Sequence, residues 1–354
     1  MTTNDELAVS VVRDEDAFDV AAVHSWLQTE VALPPSLPMV RQFTGGSSNL
    51  TYLLRYQAGG PELILRRPPQ GAKAAGAHDM DREYRVQRGL RPVFPYVPQM
   101  IGFCADTTVI GSPFYVMERV PGRILRGADR GDLLLPPEQT RRLAQRVFDI
   151  LAMLHEVDVD VAGLTDLSRG PGYVRRQVEG WARRYRAART ENVPDFGVVM
   201  DWLSANQPPD TRLCLIHNDF RLDNVILDEQ NDVSAVLDWE MATVGDPLMD
   251  LGSALAYWVQ ADDDEMYRIS RRQPSDVSGM PTRTEIVDRY RAQTGIALDN
   301  WSFYEVFGLF RLAVICQQIY LRYHLGQTTN PAFKDFWIFV TYLDERCRRL
   351  ARIT

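Results

Sequence analysis

The stretch from Leu213 to Glu240, LCLIHNDFRLDNVILDEQNDVSAVLDWE, constrains this chain more than any other. Two apolar runs, Leu213 to Ile216 and Val233 to Leu237, read as short strands that each end in a polar cluster, and a third, Val225 to Leu227, lies between them. Strand ends aim polar groups at one place. That place would receive Asp219, Asn224 and Asp238, with His217 and Asp223 close by. Asp219 can accept a proton from an attacking hydroxyl, and Asn224 and Asp238 can offer hard oxygen ligands to magnesium, the inventory that phosphoryl transfer from a nucleotide needs. Each residue alone also suits an Asn- and Asp-rich turn. The joint pattern favours chemistry.

Composition narrows the class. A chain of 354 residues has length for about two lobes, each with its own core, and 45% hydrophobic with 24% charged residues is ordinary for a globular enzyme. A net charge of -8 argues against non-specific nucleic-acid binding. Cys104, Cys214, Cys316 and Cys347 lie far apart without paired metal spacing, so reduced thiols in a cytoplasmic protein are expected. The polar start MTTNDELAVS carries no signal pattern, and no apolar run approaches membrane-spanning length. Lys73 and Lys334 are the only lysines, and no Gly-x-x-x-x-Gly-Lys-Ser/Thr segment exists. A Walker-type ATPase is excluded, and the phosphate cation must be an arginine.

In the N-terminal third, Phe18 to Thr29 predicts a short amphipathic helix. Met39 to Phe43, Leu50 to Tyr56, Glu62 to Arg67, Val97 to Cys104 and Phe114 to Val120 predict a sheet of about five strands. Between the first two lie Thr44, Gly45, Gly46, Ser47, Ser48 and Asn49, a loop whose backbone N–H groups could approach a phosphate closely, or an ordinary hairpin turn. Arg66 and Arg67 alternate across the third strand, with Arg67 expected in water. Pro68 to Ala77 is expected to be a mobile loop with Lys73 facing solvent. A helix starting near Asp79 carries Glu83, either a surface glutamate with Gln87 as its neighbour or an ion-pair partner for Arg66. Pro121 and Gly122 mark a boundary, giving lobes of 1–120 and 121–354.

The remainder reads as mainly helical. Pro136 and Pro137 open a helix through His155, which is expected to act as a cap or dipole partner. Tyr173 to Arg189 sets Arg175, Arg176, Arg183, Arg184, Arg186 and Arg189 around Trp181 and Tyr185, either a solvated face or a surface for an anionic substrate. The acidic run Asp262 to Glu265 could receive a cationic head group or be a plain loop. Asp246 with Pro247 reads as a helix start, and Arg271 to Pro281 as a mobile loop. Further helices are predicted at Thr284 to Gly295, Trp301 to Leu325 and Pro331 to Ile353.

His217-Asn218-Asp219-Phe220-Arg221-Leu222-Asp223-Asn224 resembles the catalytic loop of the aminoglycoside phosphotransferase and choline kinase group, where His-Gly-Asp-x-x-x-x-Asn is usual. Leu237-Asp238-Trp239-Glu240 resembles that group's metal-binding element, and Gly245 to Gly252 the segment after it. The resemblance implies an α+β, bilobal, protein-kinase-like fold, with a five-stranded antiparallel sheet in the first lobe and helices in the second. It implies an ATP- and Mg2+-dependent phosphotransferase acting on an alcohol group. Asp219 would be the catalytic base, Asn224 and Asp238 the metal ligands, and His217 and Asp250 supports. Gly45, Gly46, Ser47, Ser48, Asn49, Arg66, Glu83, Met117, Glu118 and Val120 would hold the nucleotide, with Arg66 standing where protein kinases carry lysine. Arg176, Arg184 and Glu240 are the substrate-side candidates. Within that group the chain most resembles the kinase-like domains that precede acyl-CoA dehydrogenase domains, which implies a small, anionic acceptor such as a hydroxyacyl-CoA or hydroxy acid. An aminoglycoside- or choline-type phosphotransferase and a catalytically idle pseudokinase scaffold are the alternatives.

Overall fold

Strand periodicity of two builds the first of two compact units, whose members fall within 1–124, 160–164 and 224–242. The computed structural model describes residues 9–43, 49–57, 59–69, 79–125 and 135–353. Its main sheet is antiparallel with six strands, in the order β1-β2-β3-β4-β6-β5. These are β1 (Val9–Ser10), β2 (Met39–Phe43), β3 (Leu50–Arg55), β4 (Glu62–Arg67), β5 (Met100–Cys104) and β6 (Phe114–Glu118). Five strands were expected. The extra one, β1, has two residues and is too short to show a period.

Alternation sorts the side chains of β4 between two layers. Leu63 and Leu65 join Val23 and Leu27 of helix α1 (Val20–Glu30), while Ile64 joins Met80 of helix α2 (Met80–Leu90). Arg66 therefore faces the α2 side, and Arg67 the α1 side. Arg67 is not in water as expected: it is 2% exposed, donates to the Asp16 carbonyl at 2.6 Å and to the Tyr52 hydroxyl, and lies over the Phe18 and Tyr52 rings. The segment before α1 covers that sheet face, so a position that would be solvated in a bare hairpin is buried.

A second ladder in this unit joins β7 (Arg123–Ile124), β9 (Val225–Leu227) and β10 (Val233–Val236). The Val236 N–H donates to Tyr96 O at 2.7 Å, and Trp239, fully buried, meets Phe94 edge-on. These contacts group 224–242 with the N-terminal unit, whereas the sequence boundary at 120 left that stretch in the second lobe.

The second unit is mainly helical: α3 (Pro137–His155), α4 (Tyr173–Ala188), α5 (Gly197–Ala205), α6 (Pro247–Leu255), α7 (Glu265–Ile269), α8 (Arg283–Thr294), α9 (Trp301–His324) and α10 (Phe336–Ala351). Two short strands, β8 (Cys214–Ile216) and β11 (Thr243–Gly245), pair antiparallel. Helix α9, apolar on most of its surface, packs against α4, α6 and α10. Its approach to α6 is close because both carry glycine there: a Cβ on Gly308 would run into the Gly252 carbonyl, and one on Gly252 into the Tyr304 carbonyl. Asp246 caps α6, accepting from the Leu248 and Met249 N–H groups. The final helix starts at Phe336, after a separate 3-10 turn at Pro331–Phe333 capped by Asn330.

Two loops expected to be open are packed. Asp263 is buried between Arg283 (2.7 Å) and Arg346 (2.8 Å), and Asp264 caps α7 while accepting from the Tyr342 hydroxyl. Within 271–281, Gln273, Ser275 and Asp276 are buried, and Asp276 pairs with Arg271 at 2.5 Å. All four cysteines are free and buried. No helix among the described residues is long and apolar enough to cross a membrane.

Candidate active site

In the first unit the β9–β10 ladder sets two oxygen donors at one end. The Leu237 N–H donates to Asn224 O at 2.8 Å, so Asn224, just before β9, and Asp238, just after β10, flank the same ladder end. Asp238 takes a left-handed conformation (φ 66°), which Asp tolerates better than most residues. Arg66 bridges the neighbouring carboxylates, with Nη1 2.7 Å from Glu83 Oε1 and Nη2 3.2 Å from Asp238 Oδ1. Glu83, 1% exposed, also accepts from the Tyr115 hydroxyl at 2.9 Å, and Gln87 donates to the Glu83 carbonyl. The surface reading of Glu83 therefore fails.

Burial opposes the charge on Arg66, but Glu83, Tyr115 and Asp238 together outweigh it and hold the guanidinium firmly protonated. Asn49 donates to Glu240 at 3.2 Å, and Arg82 donates to the carbonyls of Glu240 and Ala242. The segment after Asp238 is thus pinned from both sides. Among the described residues no group of three or more His, Cys, Asp or Glu side chains could cage a metal alone. One carboxylate and one amide oxygen fit magnesium, which takes few protein ligands and shares its shell with phosphates and water.

In the second unit β8 delivers the catalytic-type loop. Asp250, buried on α6, accepts from the backbone N–H groups of His217 and Asn218, both at 2.8 Å, and lies 3.1 Å from His155 Nε2. Burial works against its charge, yet the His155 contact and the loop's N–H groups hold its carboxyl below the usual range. His155 closes the last turn of α3, where a dipole partner was expected, and its ring also links two buried groups, Nε2 to Asp250 and Nδ1 to the Tyr290 hydroxyl at 2.7 Å. His217, buried, accepts the Asp219 N–H on Nδ1 at 3.2 Å. Asn218 has φ 66°, the conformation for which glycine is usual, and Asn can adopt it. Arg221 lies 3.3 Å from Asp219 and 3.3 Å from Asp223, with its guanidinium over the Tyr257 ring, while Gln273 accepts from the Leu222 N–H. A carboxylate on a loop braced this way can orient and deprotonate a hydroxyl.

The other predicted residues fall as follows. Gly45, Gly46, Ser47 and Ser48, with Lys73, lie outside the described residues. Met117 and Glu118 close β6, Glu118 exchanging hydrogen bonds with Gln99, and Val120 follows, half-buried. Arg176 donates to the Gly170 and Pro171 carbonyls at the start of its own helix, whereas Arg184 is exposed over Trp181. Sequence reasoning missed Arg82, Tyr115, Gln273 and Arg311. Arg311, which donates to Asn218 O at 2.6 Å, lies in an apolar helix run that gave no signal.

Residues 39–286 match the phosphotransferase enzyme family. The chain is 35% identical over 358 residues to acyl-CoA dehydrogenase family member 11 of Gallus gallus, covering 98% of this chain and 45% of that protein. It is 37% identical over 309 residues to the Homo sapiens protein of the same name, covering 85% and 38%. The mouse family member 10 is 35% identical over 323 residues, covering 90% and 30%. The chain thus spans less than half the length of these curated relatives. Among solved structures, a putative aminoglycoside phosphotransferase from Ralstonia eutropha JMP134 superposes with a TM-score of 0.81 at 28% identity, covering 95% of this chain and 99% of that one. A type I macrolide 2'-phosphotransferase superposes at 0.59 and 18%, covering 94% and 98%, and shares the fold.

Proposed function

The chain belongs to the phosphotransferase enzyme family, and from that premise we propose that it transfers the γ-phosphoryl group of ATP to a hydroxyl of a small, anionic acceptor, a hydroxy acid or its coenzyme A thioester. The observation that carries the reading is the brace on the catalytic-type loop, Asp250 holding the His217 and Asn218 N–H groups so that Asp219 is presented on a fixed backbone. In this reading Asp219 orients the acceptor hydroxyl and takes its proton. Arg66, set by Glu83, pairs with nucleotide phosphates, with Gly45 to Asn49 covering them and Met117 to Val120 meeting the base. Asn224 and Asp238 are the residues that would hold magnesium, which when bound neutralises charge on the transferred phosphoryl group. The names of the relatives support acyl-thioester chemistry for the acceptor. A reducing, cytoplasmic setting suits four free thiols. Against the aminoglycoside alternative, Asp263 of the acidic run is already paired with Arg283 and Arg346.

Separating binding from turnover tests this assignment. Asp219→Asn is expected to lower phosphotransfer by about a thousandfold or more while Mg-ATP affinity stays within about threefold, and Asp238→Ala to weaken Mg-ATP binding itself. Full turnover by purified Asp219→Asn would remove Asp219 from the mechanism.

A further inference from the structure

Arg311 lies on α9 just past Gly308, and only 5% of its surface reaches solvent. One nitrogen, Nη2, donates to the Asn218 carbonyl at 2.6 Å, and the guanidinium lies 5.2 Å from the Trp181 ring centroid. Among the described residues no carboxylate ion-pairs with it. The other deeply placed arginines of this unit differ: Arg271 is paired with Asp276, and Arg283 and Arg346 share Asp263. A carbonyl satisfies one of the five N–H donors of a guanidinium and none of its charge. Leaving such a charge uncompensated away from water costs several kcal/mol. Among the described residues, Nε and Nη1 of Arg311 make no hydrogen bond.

Through the Asn218 carbonyl Arg311 borders the catalytic-type loop. The Tyr257 hydroxyl is pushed up to about 12, by burial first and by Asp219 second, with Arg311 acting in the opposite sense. Asp219 and Arg311 thus act on one phenol. Tyr173, whose hydroxyl donates to Asn218 Oδ1, lies in the fields of Asp250 and Arg311 in the same way. Arg184 lies over the same indole, 4.7 Å from its centroid, and its guanidinium is held below its usual range by burial and by the like charges of Arg183 and Arg311. Two cations without an acidic partner among the described residues therefore share Trp181.

We propose that Arg311, with Arg184 at its rim and Trp181 as platform, binds an anionic oxygen group of the phosphoryl acceptor and so selects acidic over neutral alcohols. This rests on the phosphotransfer reading above and adds a specificity residue to it. The anion would be the carboxylate of a free hydroxy acid or a phosphate of a coenzyme thioester. A charge-assisted contact of either kind supplies the missing counter-charge.

Calorimetric titration of the whole chain distinguishes the outcomes. The probes are short-, medium- and long-chain hydroxy acids, their amides, their coenzyme A thioesters, and the matching pantetheine thioesters that lack the coenzyme's phosphates. Wild type is expected to bind an anionic probe roughly tenfold or more tightly than its uncharged match, and Arg311→Gln to erase that preference by weakening the anion alone. Arg311→Lys should retain part of it. Preference for acid over amide identifies the carboxylate; preference only for coenzyme A over pantetheine identifies the phosphates. Equal binding of charged and uncharged probes by wild type would overturn the proposal, as would an Arg311→Gln loss equal for both, the mark of a prop for Asn218. Mg-ATP binding by the same proteins is a separate readout. Its absence in wild type would sink the phosphotransfer reading, whereas its presence without charge preference would sink only the role of Arg311.

Discussion

Asp250 concentrates the electrostatics of the second unit on one buried carboxylate, which accepts two backbone N–H groups of the loop and faces His155. Its folded pKa is depressed, so it adds stability that is present above the unfolded carboxylate range and is lost as pH falls through the folded value. Asp250→Asn keeps the shape but loses the charge, and is expected to cost about 3 kcal/mol near neutral pH. Urea unfolding at near-neutral and acidic pH checks this: wild type should lose more stability on acidification than the variant, and parallel losses would contradict it. Spacing alone singled out the candidate site residues. Asp219, Asn224, Asp238 and Asp250 stand in one short stretch, where local order predicts local geometry. Arg67, Arg82 and Arg311 did not show themselves, because their partners are Asp16, Ala242 and Asn218, far along the chain.

Helices α6 and α9 carry Asp250 and Arg311, and their separation is set by Gly252 and Gly308. Gly308→Ala places a methyl group against the Gly252 carbonyl, a backbone atom that cannot swing aside. Overpacking of this kind costs about 1–3 kcal/mol and shifts the helices that present both residues. The expected result is a lower melting temperature together with reduced acceptor turnover, measured beside Gly295→Ala, which meets open space and is strained only by its own φ of +68°. Unchanged stability and turnover in Gly308→Ala would contradict the crossing described. Long elements with a clear period were legible: α1 through α4, α8, α9 and the five principal strands lie close to their expected bounds. Helices α5 and α7, at nine and five residues, were too short for periodicity to separate from loop. The acidic run and the segment 271–281 looked solvent-facing because each charge was read alone. Their arginine partners come from α8, α10 and the loop itself.

At the scale of the whole molecule, chain order and compact units do not coincide. Residues 224–242 return to the first unit, where β9 pairs with β7 and Trp239 packs on Phe94. A fragment of residues 1–124 lacks those partners and leaves the sheet edge and Phe94 uncovered. It is expected to unfold without cooperativity in circular dichroism melts, and a sharp transition like that of the full chain would contradict the assignment. The reaction proposed for this chain moves a phosphoryl group from ATP to an alcohol. Phosphorus NMR of wild type with Mg-ATP and the hydroxy-acid and thioester panel tests it most directly. A new phosphomonoester resonance with matching ADP is expected, absent when Asp219→Asn replaces wild type; ATP bound but never converted, with no phosphomonoester from any acceptor of the panel, would rule the reaction out.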